Sequence, residues 1–376
     1  MNRNINRIVM SRIDVNINPS MLQWAREEAG YDPSEIAAKV EVPTEKYITW
    51  EQKGEKVPLG KLKNIANYYK RQLAVFFLPE VPKKIVKPKD FRNVITAKSK
   101  LSKKVLLIMR DVTYFRQTAL EIKGEGYWKD RYSWIAEVDA NNKKSDVIAG
   151  WLREKLNISI EEQLSWKTPN EAYRTWRSAV ENQLGILIFQ FPMPLKEVQG
   201  FCFTDVDPYA IIVNSNHSYT GRIFTIFHEL AHIIKHTSGI CLWDDVMENQ
   251  NEEWECNSIA GNFLAPKNTL QSTDDLKEIQ TYANKFKISP EAYLRRLKEE
   301  KEISSVKFFT LLDQIKASYP AILPKKIIIK PEVKSRASRG ETFYTLVLDA
   351  LNQNRISYTQ ASGMLDLNIS RVMREA

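Results

Sequence analysis

The sequence predicts an α+β protein that is mainly α-helical and contains one small β-sheet. Along most of the 376 residues, apolar residues recur at the three- and four-residue spacing of amphipathic helices. Three short apolar segments between residues 185 and 213 are set apart by turn residues and predict strands. The chain is longer than a usual single domain, so we expect two or three domains with adequate cores.

Residues 19–80 contain the first predicted elements, four short helices. One helix covers residues 19–28. A second follows Asp32, which caps it and forms a capping box with Glu35, and ends at Lys39. A third begins at Thr44 and runs to residue 51, and an apolar stripe from residue 59 marks the fourth. The second and third helices have helix-turn-helix spacing, in which the later helix can enter a major groove.

This region resembles the Cro/repressor-type (XRE-like) helix-turn-helix domain. The resemblance is carried by Leu22-Gln23-Trp24-Ala25-Arg26, Ala29-Gly30, Ile36-Ala37, Trp50-Glu51, Lys61-Leu62 and Phe76-Phe77-Leu78-Pro79. It implies DNA as a partner. The residues that it places against base edges are Thr44, Glu45 and Thr49, and those against phosphates are Lys46, Lys53 and Lys56. Glu45 suits DNA only where it accepts from a cytosine amino group. The alternative is a domain that only binds protein or forms a homodimer.

Positive charge is concentrated in two segments, within a formal net charge of +9. Seven lysines and arginines lie between residues 84 and 103, and a second cluster runs from residue 325 to 339. A polyanionic partner would suit this charge, although solvated loops are the plainer explanation. We therefore interpret residues 83–104 as a basic linker.

Three strands are predicted before the most informative motif: residues 185–190, 198–204 and 209–213. They would form a small sheet beside a functional site. Residues 209–213 are our candidate for an exposed strand that pairs with the backbone of an extended substrate. An ordinary core strand is the alternative for the same segment.

The motif is His228-Glu229-Leu230-Ala231-His232 on a helix that Thr220 would cap. Side chains four apart share a helical face, so both imidazoles can reach one metal ion. Glu229 is placed to take a proton from a water molecule at that metal. The pattern is short, however, and two hydrogen-bonded histidines on a buried helix would look the same.

A third ligand is needed for a catalytic zinc site, which also keeps one position open. The pattern of residues 252–266 predicts a second helix, which ends at Pro266. Glu253 shares a face with Ala260 and Gly261, whose small side chains would let this helix lie close to the first. Three neighbouring carboxylates remain alternatives, with a solvated acidic face as their plainer role: Glu248, Glu252 and Glu255.

Both segments resemble the ImmA/IrrE-like metallopeptidases, through Phe224-Thr225-Ile226-Phe227-His228-Glu229-Leu230-Ala231-His232 and Glu253-Trp254-Glu255-Cys256-Asn257. The resemblance implies a zincin-like domain, with His228, His232 and Glu253 as metal ligands and Glu229 as the base. His236 would serve packing or the outer shell. Zinc is the expected cofactor, and Mn2+ or Fe2+ would suit the same ligands. Three upstream residues could stabilise an oxyanion, and none is assigned: His217, Tyr219 and Arg222.

The predicted domains are a helix-turn-helix domain at residues 17–82, the linker at 83–104, the metallopeptidase domain at 105–270 and a helical C-terminal region at 271–376. The last region would be an accessory or dimerising element. Three cysteines without paired spacing suit a reducing cytosol. With no apolar run of eighteen residues and no signal-peptide core, we expect a cytoplasmic protein.

Together these features predict a DNA-associated zinc metalloendopeptidase. In the family that it resembles, such enzymes relieve repression by cutting a helix-turn-helix repressor, often in mobile elements or stress responses. The alternative is a non-proteolytic transcriptional regulator or antitoxin that binds and neutralises a toxin encoded in the same operon. A self-cleaving sensor is a third possibility.

Overall fold

The computed structural model describes residues 13–81, 101–138, 143–204, 206–236, 240–242, 250–318 and 329–376. Most of the predicted basic linker and the alternative ligand Glu248 lie outside these residues. The chain divides into two compact units. The N-terminal unit contains the described residues 13–81 and 101–111, and the C-terminal unit contains those from 112 onward. The α+β class is confirmed, whereas the predicted domain boundaries stay a prediction.

The N-terminal unit holds four helices and one short strand pair. The helices are α1 (Pro19–Glu28), α2 (Pro33–Lys39), α3 (Thr44–Lys53) and α4 (Leu59–Tyr69). The strands β1 (Asp14–Val15) and β2 (Val57–Pro58) pair antiparallel. Asp32 stands at the N-cap of α2, but its side chain makes no capping hydrogen bond, so the predicted capping box is wrong. Asn18 does cap α1, through the amide of Ser20.

The core of the N-terminal unit surrounds a buried ionic network. Trp50, Tyr47 and Leu62 are almost fully buried. Glu51, 8% exposed, accepts hydrogen bonds from Arg26 Nε at 2.8 Å and from the Tyr47 hydroxyl at 2.8 Å. Buried carboxylates are tolerated where such donors satisfy them. This network fixes α3 against α1.

The C-terminal unit is built mostly from helices. Its helix α5 (Lys103–Lys123) begins in the N-terminal unit. The others are α6 (Glu125–Arg131), α7 (Ser145–Leu156), α8 (Ile160–Ser165), α9 (Pro169–Ala179), α10 (Tyr219–Ile234), α11 (Gln250–Leu264), α12 (Leu276–Phe286), α13 (Pro290–Glu299), α14 (Ser305–Ser318), α15 (Pro331–Arg339), α16 (Glu341–Asn352), α17 (Tyr358–Leu365) and α18 (Ile369–Glu375). No helix among the described residues combines the length and apolar character that crossing a bilayer requires.

A four-stranded sheet lies in this unit, in the order β3, β5, β4, β6. Its strands are β3 (Leu187–Phe191), β4 (Val198–Phe203), β5 (Ala210–Asn214) and β6 (Ile240–Leu242). The three predicted strands are thus confirmed within two residues. β5 pairs parallel with β3 and antiparallel with β4. Because both of its edges are occupied, β5 cannot add a substrate strand, and that prediction is wrong.

The helices after residue 330 are anchored to this sheet. Buried Arg177 donates to Glu181 Oε1 at 3.0 Å and to the carbonyl of Ala337 at 2.6 Å. Glu181 in turn accepts from the amide of Glu341 at 3.2 Å. The Phe343 ring lies 5.3 Å from that of Phe189 on β3, centroid to centroid. The C-terminal region therefore packs as part of the unit that carries the sheet.

Candidate metal centre

The helix α10 presents the predicted motif from a buried position. Ser218 caps it by accepting from the amide of Gly221 at 3.2 Å. The predicted cap, Thr220, instead lies in the first turn. Phe227 packs its ring 4.1 Å from Phe263 of α11, centroid to centroid, and both are buried. This aromatic contact holds α11 beside the histidines.

Three predicted ligands meet at one place. The Nε2 atoms of His228 and His232 lie 3.1 Å apart. Each also lies 3.3 Å from a carboxylate oxygen of Glu253. Among the described residues, these three form the one group of histidine, cysteine or acidic side chains whose ligand atoms all lie within 4.8 Å. Two histidines on one helix and an acid on the next therefore point at a common centre.

The distances agree with what a divalent cation requires. Tetrahedral zinc with ligand bonds of about 2.0–2.1 Å separates its ligand atoms by about 3.4 Å. The observed 3.1 and 3.3 Å are close to that spacing. Imidazole nitrogens with a carboxylate form a donor set suited to zinc, and iron or manganese also accepts it. The residues present thus fit a metal ion.

Neighbouring acids are engaged elsewhere or do not join the group. Glu255 forms an ion pair with Lys235, the residue that follows the last turn of α10. Glu252 does not belong to the group of possible metal ligands formed by His228, His232 and Glu253. Glu253 is therefore the described acid that the fold brings to both imidazoles.

The electrostatics of the cluster favour positive charge at its centre. Burial would raise the pKa of Glu253, but hydrogen bonds and charge from His228 and His232 lower it well below its usual range. Burial opposes protonation of His232, yet hydrogen bonds to Cys256 and Glu253 and the charge of Glu229 raise its pKa. An ionised Glu253 thus faces two nitrogens across a small gap.

Glu229 is fully buried, and Gly200 on β4 lies beside it and leaves room for Thr225 of the same helix. A β-carbon built on Gly200 would lie 3.5 Å from Glu229 Oε1 and 2.8 Å from the carbonyl of Ile212, and it would collide with the Thr225 methyl group. A larger residue at position 200 would therefore push β4 away from α10. The sequence offered no signal for this contact, because it joins residues 29 apart.

Cys256 is a second residue that the sequence interpretation missed. It is buried and hydrogen-bonded to His232. Metal-binding histidines usually have a hydrogen-bond partner that fixes the ring, and Cys256 occupies that place. Its position one helical turn after Glu253 was the available signal, since residues three apart share a face.

Two other predictions about this region are wrong. Gly261 does not face α10, because a β-carbon there would lie 2.7 Å from Cδ of Arg296 on α13. His236 lies beyond the end of α10, with a left-handed φ of 53°, and is exposed. It is therefore neither packed nor on the helical face of His228 and His232.

The oxyanion candidates lie at the start of α10. Arg222 donates to the carbonyls of His217 and Ser215 and to Gln190 Oε1. Its guanidinium is thus used in holding the turn before the helix. Burial lowers the pKa of His217, and the positive charge of Arg222 lowers it further. Tyr219 is 38% exposed. None of the three is thereby assigned the oxyanion role.

The predicted DNA contacts lie on the accessible side of α3. Thr44 and Thr49 are half-buried, and Glu45, Lys46, Lys53 and Lys56 are exposed. Lys46 is ion-paired with Glu55. Thr49 donates its hydroxyl back to the carbonyls of Glu45 and Lys46. All six residues are therefore at least partly accessible, and two of them, Lys46 and Thr49, have local partners.

The sequence comparisons agree with the metal centre. A family model described as the IrrE N-terminal-like domain (Peptidase_M78) matches residues 181–298. This segment, less than half of the chain, contains the sheet, both histidines, Glu229 and Glu253. Searches of curated proteins and of solved structures gave no significant match. The segment thus resembles a metallopeptidase domain, and the match does not extend to the N-terminal helices.

Proposed function

We propose that this chain is a DNA-associated zinc metalloendopeptidase that regulates transcription by cleaving a helix-turn-helix repressor or a similar partner protein. The observation that carries the catalytic part is the meeting of His228, His232 and Glu253 around one centre, beside the buried Glu229. The peptidase family match over the same residues supports it.

His228 and His232 would hold the ion through Nε2, and Glu253 through its carboxylate. A bound zinc ion supplies Lewis acidity that polarises a peptide carbonyl and acidifies water. Three protein ligands leave the fourth tetrahedral position for reactants. The Glu253 side chain is 30% exposed, whereas the histidines and Glu229 are buried, so the site opens to solvent on the Glu253 side.

Glu229 would act as general base and then as general acid. It would take a proton from the attacking water and deliver it to the amine of the departing peptide. Gly200 lies beside the Glu229 carboxylate and lets β4 approach α10 closely at Thr225.

The DNA-associated part of the proposal relies on the N-terminal unit. Its exposed α3 follows α2 at helix-turn-helix spacing, and Lys53 and Lys56 remain exposed beside it. Binding to DNA would bring the peptidase close to repressors that occupy neighbouring operators. The formal net charge of +9 suits such a partner.

Glu229→Gln in the full chain tests the proposed chemistry. Incubated with the helix-turn-helix repressor encoded beside its own gene, this variant should lose cleavage by about 10²- to 10⁴-fold, while metal content and DNA binding stay unchanged. Glu255→Gln removes an equal charge near the site and should cut as the wild type does. Cleavage by Glu229→Gln at the wild-type rate would show that the assigned base is wrong.

The same assay separates the enzyme from the antitoxin alternative. If the metal-loaded wild type cuts no neighbouring gene product but suppresses a toxin encoded beside it, and Glu229→Gln suppresses that toxin equally well, the protein acts by binding. That result would reject proteolysis as its function.

A further inference from the structure

The last two helices, α17 and α18, repeat the corner that joins α2 to α3. In each pair a residue with left-handed φ ends the first helix: Glu41 at 55° and Asp366 at 51°. In each, the next residue donates its amide to the carbonyl five residues earlier, Val42 to Ala37 at 3.0 Å and Leu367 to Ser362 at 3.2 Å. The second helix begins three residues after the left-handed residue in both pairs.

The side chains that close the two corners also correspond. Counted from the left-handed residue, the positions five before, one before, one after and six after are apolar in both pairs. They are Ile36, Val40, Val42 and Tyr47 in the first, and Ala361, Leu365, Leu367 and Val372 in the second. All are buried except Val42, which is half-buried. Helix-turn-helix motifs need this apolar interior because it fixes the two helices as one unit.

A third corner, between α12 and α13, shows what distinguishes the C-terminal pair. Lys287 has left-handed φ there, and Ile288 donates to the carbonyl of Ala283 at 3.0 Å. However, α13 buries Tyr293, Leu294, Arg296 and Leu297, and Arg296 donates to Asn262 of α11 at 2.8 Å. The helix α13 is therefore packed on both sides. In α18 only Val372 is buried.

The outer face of α18 has the side chains that a DNA groove accommodates. Ser370 and Arg374 are exposed, and so are Ile369 at 45% and Met373 at 62%. Arginine donates to guanine and to phosphates, while apolar side chains contact the thymine methyl group. Asp366 is also exposed, but it lies in the turn rather than on the outer face of the helix.

Positive charge flanks this face on the neighbouring helix α15. Ser335 donates to the carbonyl of Leu365, and Arg339 to that of Met364 at 2.6 Å, so α15 is fixed to the first helix of the pair. Glu332 is ion-paired with Arg371 of α18. Lys330 and Lys334 are exposed and form no ion pair with the described residues. Arg374 is also exposed; its Nε donates to the carbonyl of Ser370 at 3.2 Å, and its charge interacts with that of Glu332. These cations are available for an anionic partner.

We infer that α17 and α18 form a second DNA-binding element, in which α18 enters a major groove while Lys330 and Lys334 contact the flanking phosphates. Duplex DNA is favoured because α18 follows a helix-turn-helix corner with its outer face exposed, and because exposed Lys330, Lys334 and Arg374 lie on this helix and its neighbour α15. This inference does not depend on the metal centre, but it rests on the proposed function in taking α2 and α3 as a helix-turn-helix pair.

A charge-matched pair of double variants tests it in the full chain. Lys334→Ala with Arg374→Ala removes two cations from the proposed surface. Lys277→Ala with Lys285→Ala removes two exposed cations from α12, in the corner whose second helix is buried. The probe is a random-sequence duplex of about 30 base pairs, measured by fluorescence anisotropy at several salt concentrations.

The first double variant should bind about tenfold more weakly than the wild type. Its slope of log affinity against log salt should fall by about 2, since each lost phosphate contact removes about 0.9. The second double variant should change neither value. Combining the first pair with Lys53→Ala and Lys56→Ala should weaken binding further if both ends of the chain contact DNA.

Equal effects of the two double variants would overturn the inference, because general net charge would then explain the loss. It would also be overturned if Lys334→Ala with Arg374→Ala left DNA binding intact but changed the oligomeric state in sedimentation. The α18 face would in that case bind a second copy of this protein.

Discussion

The helices α10 and α11, which carry the candidate metal ligands, and the N-terminal helices α2 and α3 place their candidate functional side chains in opposite environments. At the metal centre His228, His232 and Glu229 are buried, and their positions are set by packing. At the end of α3 and just after it, the candidate contacts Lys53 and Lys56 are exposed and free to adapt. A site that must hold an ion needs fixed geometry, whereas a surface that binds phosphates needs mainly charge. Mutations should therefore have sharp effects in the first region and graded effects in the second.

The largest expected effect comes from Glu253→Ala. It removes one of three ligands, and zinc affinity should fall by more than the roughly 10- to 100-fold that is typical when an outer-shell partner is lost. Competition with a chromophoric chelator measures the change. Glu255→Ala changes an acid two positions after Glu253 that forms an ion pair with Lys235. This variant should retain the metal. Equal zinc binding by both variants would remove Glu253 from the ligand set.

The next largest expected effect is on the free energy of unfolding, from a mutation in the buried ionic network of the N-terminal unit. Glu51→Ala leaves Arg26, whose side chain is 12% exposed, without its carboxylate. Breaking such a buried pair typically costs about 3–5 kcal/mol of unfolding free energy. Urea unfolding followed by tryptophan fluorescence measures it, since Trp50 lies in this core. As a control, Lys46→Ala removes the exposed ion pair with Glu55 and should leave the unfolding free energy nearly unchanged. If Glu51→Ala and Lys46→Ala lowered the unfolding free energy by similar amounts, burial would not explain the strength of the Arg26–Glu51 pair.

Cys256→Ala sharpens the account of the metal helices. It removes the hydrogen bond to His232, so that imidazole should be less well oriented, and zinc affinity should fall about 10- to 100-fold. Cys256→Ser restores a hydrogen-bonding group and should recover part of the loss. Cys202→Ala changes a buried cysteine on β4 and should leave zinc affinity unchanged. If Cys256→Ala bound zinc like the wild type, Cys256 would have only a packing role.

The smallest effect is expected from single charges on α3. Lys53→Ala should reduce the salt-dependence slope of DNA binding by about 0.9, the value for one phosphate contact. Glu55→Gln should have the opposite effect, because it frees Lys46 from its ion pair to contact phosphate. Anisotropy titrations at several salt concentrations measure both slopes. A lower affinity in Glu55→Gln would mean that Lys46 does not face DNA.

The local spacing of residues in the sequence predicted much of the fold and the two histidines of the metal centre. The helix at 219–234 and the strands near 187, 198 and 210 follow from short-range periodicity. His228 and His232 share a face because they are one turn apart. Glu253 was a weaker prediction, since its approach depends on how Phe227 meets Phe263. The errors at Thr220, His236 and Gly261 all concern helix ends or facing helices, where neighbouring elements decide the outcome.

The sequence by itself determined which residues could bind a metal, because periodicity within a helix is a local property that the chain carries everywhere. Only the tertiary structure decided that Glu253 reaches both imidazoles, that Gly200 on β4 lies against Thr225 of α10, and that β5 is an inner strand. It also decided which of these helix pairs leaves its second helix exposed, since α13 and α18 differ in the helices packed over them rather than in their local pattern. Contacts between distant segments set burial, and burial sets which side chains can act.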